Sequence, residues 1–184
     1  MNNKQRVYNM VLSGLLCAMG IAIPMFFPRI QLEPMSFTLA SHVPIFISMF
    51  ISLPTAVAVG VITAFGFFFT ATPVIAMRAL SHLGFVILGS LFLKKQPGIF
   101  HSMKKYTLFG LMIAVVHAVC EVIAVSAFYF AGSMTNWYAS GYLYSVLLLV
   151  GVGTMVHSMV DFYIAYVVWR AIQKSLPVPA AAKQ

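Results

Sequence analysis

The sequence predicts an all-α integral membrane protein, in which six membrane-spanning helices form one compact bundle with both termini in the cytoplasm. Of the 184 residues, 61% are hydrophobic and only 8% are charged, and the mean hydropathy is +0.96, far from the values of soluble domains. Apolar segments fill almost the whole chain, which leaves no room for a separate soluble domain. The basic residues cluster at the two termini and in one loop.

Apolar runs separated by turn residues predict the six spans in order. They are residues 7–27, 41–52, 55–69, 73–93, 106–130 and 142–172. The first span follows a short basic segment but has no small-residue cleavage site after it, so we expect it to be retained. The second and third spans are short and meet at a Ser-Leu-Pro hinge, residues 52–54. Residues 1–175 are predicted to form a single membrane domain and residues 176–184 a disordered tail.

The distribution of basic residues predicts the orientation of the bundle. Nine of the eleven Lys and Arg residues fall on one side: Lys4, Arg6, Lys94, Lys95, Lys104, Lys105, Arg170, Lys174 and Lys183. Cytoplasmic segments carry an excess of such residues, so this side is predicted to be the cytoplasmic one. The external face then consists of residues 28–40, 70–72 and 131–141.

Three pairs of ionisable side chains lie inside predicted spans, each pair four residues apart. The pairs are Arg78 with His82, His117 with Glu121, and His157 with Asp161. One helical turn separates the partners, so each pair shares one face of its helix. A charge at the centre of the hydrocarbon costs about 2.5–3.5 kcal/mol on insertion scales, so these faces should point into the bundle and meet a partner or a ligand.

Two interpretations stay open for these side chains. Arg78 and Glu121 form either a buried ion pair between two spans or part of an anion site, because the guanidinium fork suits a planar carboxylate. The histidines are either core residues satisfied by nearby polar groups or ligand contacts. Helix rise places Asp161 in the inner half of the membrane, so His157 and Asp161 are expected to be a structural pair away from a ligand arriving from outside.

Several classes of function have no support in the sequence. There is no Gly-rich phosphate loop, no HExxH, no GxSxG, and the chain has three acidic residues in all. We therefore predict no catalytic residues, no metal site and no cofactor, and a protein that is not itself an enzyme. The net charge of +8 is spread over termini and one loop, which does not indicate a nucleic-acid surface.

Two further features concern surfaces of the bundle. Gly14, Ala18 and Ala22 recur every four residues on one face of the first span, where small residues let another helix approach closely, either within the bundle or on a partner. The external segment containing Asn136, Trp137 and Tyr138 is either an aromatic belt at the membrane interface or a loop that covers a ligand.

Taken together, these features resemble the S components of energy-coupling-factor (ECF) transporters. The resemblance rests on six spans in 184 residues, the small-residue face of the first span, and the segment Ser36-Phe37-Thr38-Leu39 followed by Pro54 and Gly60. The stretches Ala40-Ser41-His42-Val43-Pro44 and Arg78-Ala79-Leu80-Ser81-His82 are similar to the branch associated with niacin uptake.

The resemblance implies a vitamin-binding subunit of a cell-membrane importer in a prokaryote. Such a subunit captures its vitamin from outside under loops, associates with a transmembrane coupling protein and two ATPases, and topples to release the vitamin inside. The docking face would be Gly14, Ala18 and Ala22, with Gly14 in place of the usual alanine. The implied pocket residues are Phe37, His42, Arg78, His82, His117, Glu121, Asn136, Trp137 and Tyr138.

Within that resemblance, Arg78 would hold the carboxylate of nicotinate, Phe37 or Trp137 would stack on the ring, and Asn136, His82 or Glu121 would meet its nitrogen. Pantothenate or another small vitamin is the alternative ligand.

Two alternatives come from other classes of protein. His157 and Asp161 could relay protons in a self-sufficient secondary transporter. His82, His117 and His157 could supply two axial ligands to haem.

Overall fold

The computed structural model describes residues 3–133, 136 and 139–175, which form a helical bundle with one β-hairpin. The helices are α1 (Asn3–Phe26), α2 (Val43–Ile51), α3 (Leu53–Thr70), α4 (Pro73–Lys95), α5 (Met103–Phe130) and α6 (Gly153–Ser175). A 3-10 turn, Pro97–His101, joins α4 to α5, and a π-helical segment, Leu143–Val152, leads into α6. The predicted helical membrane protein is confirmed at this level, and the predicted tail lies outside the described residues.

Within the described residues, five helical segments are long and apolar enough to cross a membrane. They are Arg6–Phe26, Leu53–Thr70, Pro73–Lys95, Met103–Phe130 and Leu143–Lys174. The remaining predicted span, 41–52, forms α2, which has nine residues. At about 1.5 Å per residue α2 is about 14 Å long, about half the thickness of the hydrocarbon core. The second span was predicted to be short, and α2 is shorter still, too short to cross the bilayer by itself.

Prolines explain why α2 is so short. Pro44 occupies the first turn of α2 and Pro54 the first turn of α3, positions where a missing N–H costs nothing. Between the two helices Ser52 is extended, and its hydroxyl accepts a hydrogen bond from the Thr55 amide at 3.3 Å. Ser52 thereby caps α3, and the chain reverses here as the predicted hinge required.

The all-α prediction missed a β-hairpin in the segment between α1 and α2. Strand β1 (Arg29–Leu32) pairs antiparallel with β2 (Met35–Thr38), with Leu32 opposite Met35 at the turn. β1 is exposed, whereas Met35 and Thr38 of β2 are buried. Met35 packs on α6, where a Cβ at Gly153 would lie 2.5 Å from the Met35 sulfur, so this glycine lets the hairpin close onto the bundle.

α1 packs on the bundle through a different face from the predicted small-residue face. Gly20 approaches α3 so closely that a Cβ there would meet the Thr63 hydroxyl at 2.7 Å. Gly14 and Ala18 are exposed, and Ala22 is half-buried. A Cβ at Gly14 would meet nothing within 4 Å. An internal helix contact therefore does not explain Gly14 and Ala18.

The core at one end of the bundle is aromatic. We call this end, which carries Lys94, Lys95, Lys104 and Lys105, the basic end, and the opposite end the hairpin end. Tyr106 stacks on Phe162 with ring centroids 4.4 Å apart, and its hydroxyl donates to the Phe162 carbonyl at 2.7 Å. Phe50 contacts the fully buried Trp169. This aromatic core fills the bundle between the basic end and the polar groups described next.

Candidate functional site

Arg78 of α4 and Glu121 of α5 form an ion pair inside the bundle. The Arg78 Nε and Nη2 atoms both donate to Glu121 Oε2, at 3.1 and 2.8 Å. The Nη1 atom donates to the carbonyl of Pro34 in the hairpin turn, at 3.3 Å. Both side chains are buried. The ion pair that the sequence left as one of two interpretations is therefore present, and it ties the hairpin to both helices.

Other polar side chains complete the surroundings of Glu121. Thr154 Oγ1 donates to Glu121 Oε2 at 2.6 Å, so this oxygen is shared between Arg78 and Thr154. The second oxygen, Oε1, faces two histidines, with His82 Nε2 at 3.2 Å and His117 Nε2 at 3.5 Å. The other ring nitrogen of His117 lies 3.2 Å from the Ser158 hydroxyl. Glu121 thus joins α4, α5 and α6 at one point.

Asp161 of α6 holds the turn that precedes α2. Its two carboxylate oxygens accept hydrogen bonds from the backbone amides of Ala40 and His42, each at 2.8 Å. Ala40 has a φ of 67°, in the left-handed region that a residue other than glycine seldom adopts. The His42 Nδ1 atom also lies 3.2 Å from Asp161, and Ser41 contacts His157 at 3.1 Å. The carboxylate is fully buried and positions the backbone of this turn.

Four histidines meet between these two carboxylates. The ring of His42 lies 4.8 Å from His82, 4.8 Å from His117 and 4.6 Å from His157, measured between centroids. His82 and His117 are 4.6 Å apart and perpendicular. Since the rings are in direct contact, no porphyrin fits between these pairs, which disfavours the haem alternative.

A cavity of about 470 Å³ opens beside the histidines at the hairpin end. This volume is within the range of small-molecule sites. Its walls come from the ends of α1 and α3, the hairpin, the turn before α2 and the first turns of α4. The lining residues are Gly20, Pro24, Met25, Phe27, Arg29, Ser36, Phe37, Thr38, Ser41, His42, Ile45, Thr63, Phe67, Thr70, Ala71, Ile75, Arg78, Ala79, His82 and Glu121.

The inner side of the histidine cluster is closed by aromatic rings. Phe85 lies 5.6 Å from His82 and 4.5 Å from His117 between ring centroids, and Phe46 lies 6.3 Å from His42. Phe46 and Phe85 are fully buried and belong to the aromatic core. The cavity therefore has polar groups along one wall, and Phe46 and Phe85 form a packed apolar floor behind the histidines of that wall.

The structure brings together most of the residues that the sequence analysis placed in a pocket. Five of them line the cavity: Phe37, His42, Arg78, His82 and Glu121. His117 lies behind them, in contact with His42, His82 and Glu121. Asn136 is exposed and does not line the cavity, while Trp137 and Tyr138 lie outside the described residues. Coverage by the 131–141 segment stays a prediction.

Sequence reasoning missed the hydroxyl groups that orient the ionisable ones. Ser41, Thr154 and Ser158 each contact a histidine or Glu121. Two of these are visible in the sequence as part of a polar stripe: Thr154, His157, Ser158 and Asp161 follow the i, i+3, i+4, i+7 spacing of one helical face. The sequence therefore indicates Thr154 and Ser158, because they are polar residues on the same helical face as His157 and Asp161.

A comparison with known proteins identifies the family of the chain. The niacin transporter NiaX of Lactococcus lactis subsp. cremoris (strain MG1363) is 37% identical over 177 residues, which cover 95% of this chain and 79% of the relative. No family model matches the chain, and no solved structure does. With its long apolar helices, the chain is a multi-pass protein of a bacterial cell membrane. It belongs to the same family as that niacin transporter, the niacin branch of the ECF S components.

Proposed function

We propose that this protein captures niacin from outside the cell, as nicotinate, and is the substrate-binding subunit of an ATP-driven importer. One observation carries the proposal. A relative named as a niacin transporter is 37% identical to this chain over 177 aligned residues, and the chain has a cavity of suitable size with a buried arginine in its wall. The chain would bind and release its vitamin and would not hydrolyse ATP.

The chemistry of the cavity wall fits a small aromatic acid. Arg78 has five N–H groups. Its hydrogen bonds with described residues use three of them, which leaves one N–H on each of Nη1 and Nη2 for a carboxylate. Phe37 supplies an aromatic face in the lining, and His82 lies one turn from Arg78, where it could meet the ring nitrogen. Arg78 would then bind nicotinate while Glu121 keeps its guanidinium in place.

The fold supports an orientation with both termini inside. α2 would begin beside the histidine cluster and run to the basic end, where Phe50 packs on Phe100 and Tyr106, and α3 would return through the bilayer to the external face, so that the chain still reverses as six spans require. Non-helical backbone inside a membrane bundle is tolerated where protein satisfies it, and the turn before α2, whose amides donate to the buried Asp161, is such a segment. The basic end would then be cytoplasmic and the cavity would open outward.

Energy would come from partner proteins that dock on α1. Gly14 and Ala18 are exposed on the lipid-facing side of this helix, and small residues there would allow close contact with a helix of the coupling protein. Two ATPases bound to that coupling protein would supply ATP hydrolysis.

Calorimetry on the purified chain in detergent is the primary test of the proposed ligand. We expect tight binding of nicotinate, and binding of nicotinamide that is weaker by about 100-fold, because the amide lacks the charge that Arg78 would pair with. Pantothenate tests the alternative vitamin. Tight pantothenate binding with weak nicotinate binding would contradict the niacin assignment, and binding of none of the three would contradict the subunit's proposed role.

A bulky side chain on the docking face should separate binding from transport. We expect Ala18→Trp to leave nicotinate affinity unchanged and to abolish co-purification with the coupling protein and its ATPases, because the ring would hold the helices apart. Ala127→Trp is the matched control, since Ala127 is also exposed but lies on α5. Equal complex formation by the two variants would show that α1 is not the docking helix.

A further inference from the structure

We propose that His42, His82, His117 and Glu121 form a binding site for one divalent transition-metal ion of the zinc class, in the wall of the cavity. Each of these residues offers one ligand atom, and the four atoms lie within 4.8 Å of one another. No metal site was predicted from the sequence, because these residues come from three separate places: the turn before α2, helix α4 and helix α5. Only the fold brings them together.

The distances around Glu121 already resemble those of a metal centre. In a tetrahedral site with bonds of 2.0–2.1 Å, neighbouring ligand atoms lie about 3.3 Å apart. His82 Nε2 and His117 Nε2 lie 3.2 and 3.5 Å from Glu121 Oε1. The widest separation, up to 4.8 Å, needs a closure of about 1.5 Å, which rotation of an imidazole ring supplies.

His117 provides an independent indication of a missing ligand. Its Nε2 atom is buried and makes no hydrogen bond with any described group. The nearest partner, Glu121 Oε1, is 3.5 Å away, beyond the usual 2.7–3.2 Å range of N–H···O hydrogen bonds. Buried polar atoms without partners are costly and uncommon. A cation between this nitrogen and the carboxylate oxygen would satisfy both.

The outer contacts of the cluster are those of metal-binding histidines. Such a histidine usually has its other ring nitrogen bonded to a carboxylate or another polar group, which fixes the ring orientation. His42 Nδ1 lies 3.2 Å from Asp161, and His117 Nδ1 lies 3.2 Å from Ser158. These contacts leave the Nε2 atoms of both rings for an ion. Three imidazoles and one carboxylate are a donor set for zinc, cobalt, nickel or copper.

The charges of the site also favour a cation. The ionised side chains buried around the histidines in the described part of the chain are Arg78, Glu121 and Asp161. With neutral imidazoles, the form that binds metal, they carry one positive and two negative charges, a net charge of −1. A divalent ion reverses this to +1, which a singly charged carboxylate would neutralise. That last consequence rests on the proposed function, whereas the metal site does not.

A metal titration without any vitamin tests the site. The full chain, purified without a histidine tag and stripped with a chelator, is titrated with Co²⁺. Bound metal is measured by elemental analysis and visible absorption. We expect about one Co²⁺ per chain, the intense visible bands of four-coordinate cobalt, and displacement by Zn²⁺. Less than about a tenth of an ion per chain would overturn the proposal.

Single substitutions make the test specific. We expect His117→Asn and His82→Asn, which lie on different helices, each to weaken Co²⁺ binding by about 100-fold. His101→Asn is the matched control, because His101 is exposed in the α4–α5 connection, outside the cluster. Unchanged affinity in both cluster variants, or the same loss in the control, would place bound metal elsewhere and overturn the assignment. Since nicotinate is absent, failure here leaves the proposed vitamin binding untouched.

Discussion

Replacing Arg78 by lysine should weaken nicotinate binding by about 100-fold while the protein still folds. Lysine keeps a positive charge beside Glu121 but lacks the planar fork, so it cannot hold Glu121 and a carboxylate at the same time. The measurement is calorimetric titration of the variant with nicotinate. Nicotinamide serves as an internal reference, because its weaker binding does not depend on the same ion pair and should change little.

The choice of lysine avoids a confusion between binding and folding. Arg78→Ala would leave Glu121 as an unpaired buried charge, which costs about 3–5 kcal/mol, so lost binding in that variant would have two explanations. Arg29→Lys is the matched control, since Arg29 also lines the cavity but is exposed at its rim. If Arg78→Lys binds nicotinate as tightly as the unaltered chain, Arg78 does not hold the carboxylate.

Removing the carboxylate of Asp161 should destabilise the protein by about 2–6 kcal/mol. Asp161→Ala deprives the amides of Ala40 and His42 of their acceptors, and each unsatisfied donor costs about 1–3 kcal/mol. Thermal unfolding in detergent measures the loss. Nicotinate affinity should also fall, because the turn that carries His42 is no longer fixed.

A neighbouring substitution controls for side-chain size. Val160→Ala changes an exposed residue of the same helix and should alter stability by no more than about 0.5 kcal/mol. The proton-relay alternative gives the opposite pattern for Asp161→Ala: normal stability, with loss of uptake into liposomes that contain this chain alone. Normal stability would therefore show that the carboxylate is not a structural anchor.

Periodicity and composition were sufficient for the helices and for part of the site. Six apolar runs were predicted as spans, and five of them coincide with helices of membrane-spanning length in the described residues; the four-residue spacing predicted that Arg78, His82, His117 and Glu121 face the interior. Both patterns are local, because the length of a helix and the side chains on each of its faces depend on the sequence of that helix alone. The contact between Arg78 and Glu121 was one of two interpretations of the sequence, because a charge inside hydrocarbon must meet either a partner or a ligand.

Long-range contacts account for most of what the sequence did not predict. Asp161 binds backbone amides more than a hundred residues away in the chain. Every residue other than proline has such an amide, so a sequence pattern cannot indicate which ones a side chain will bind. The hairpin was assigned to a loop because its strands have four residues each, too few for a clear alternation. The second span was predicted over residues 41–52, whereas α2 begins only at Val43, because residues 40–42 form the turn that Asp161 holds.

The apolar floor formed by Phe46 and Phe85 has a consequence for the kinetics of the isolated protein. Because the cavity is closed on that side, a ligand must arrive and leave through the same opening at the hairpin end. A change that only narrows this opening raises the barrier equally in both directions. The association and dissociation rate constants then fall by the same factor, and the equilibrium affinity stays constant. A variant of a rim residue that slows exchange without altering Kd would identify the opening.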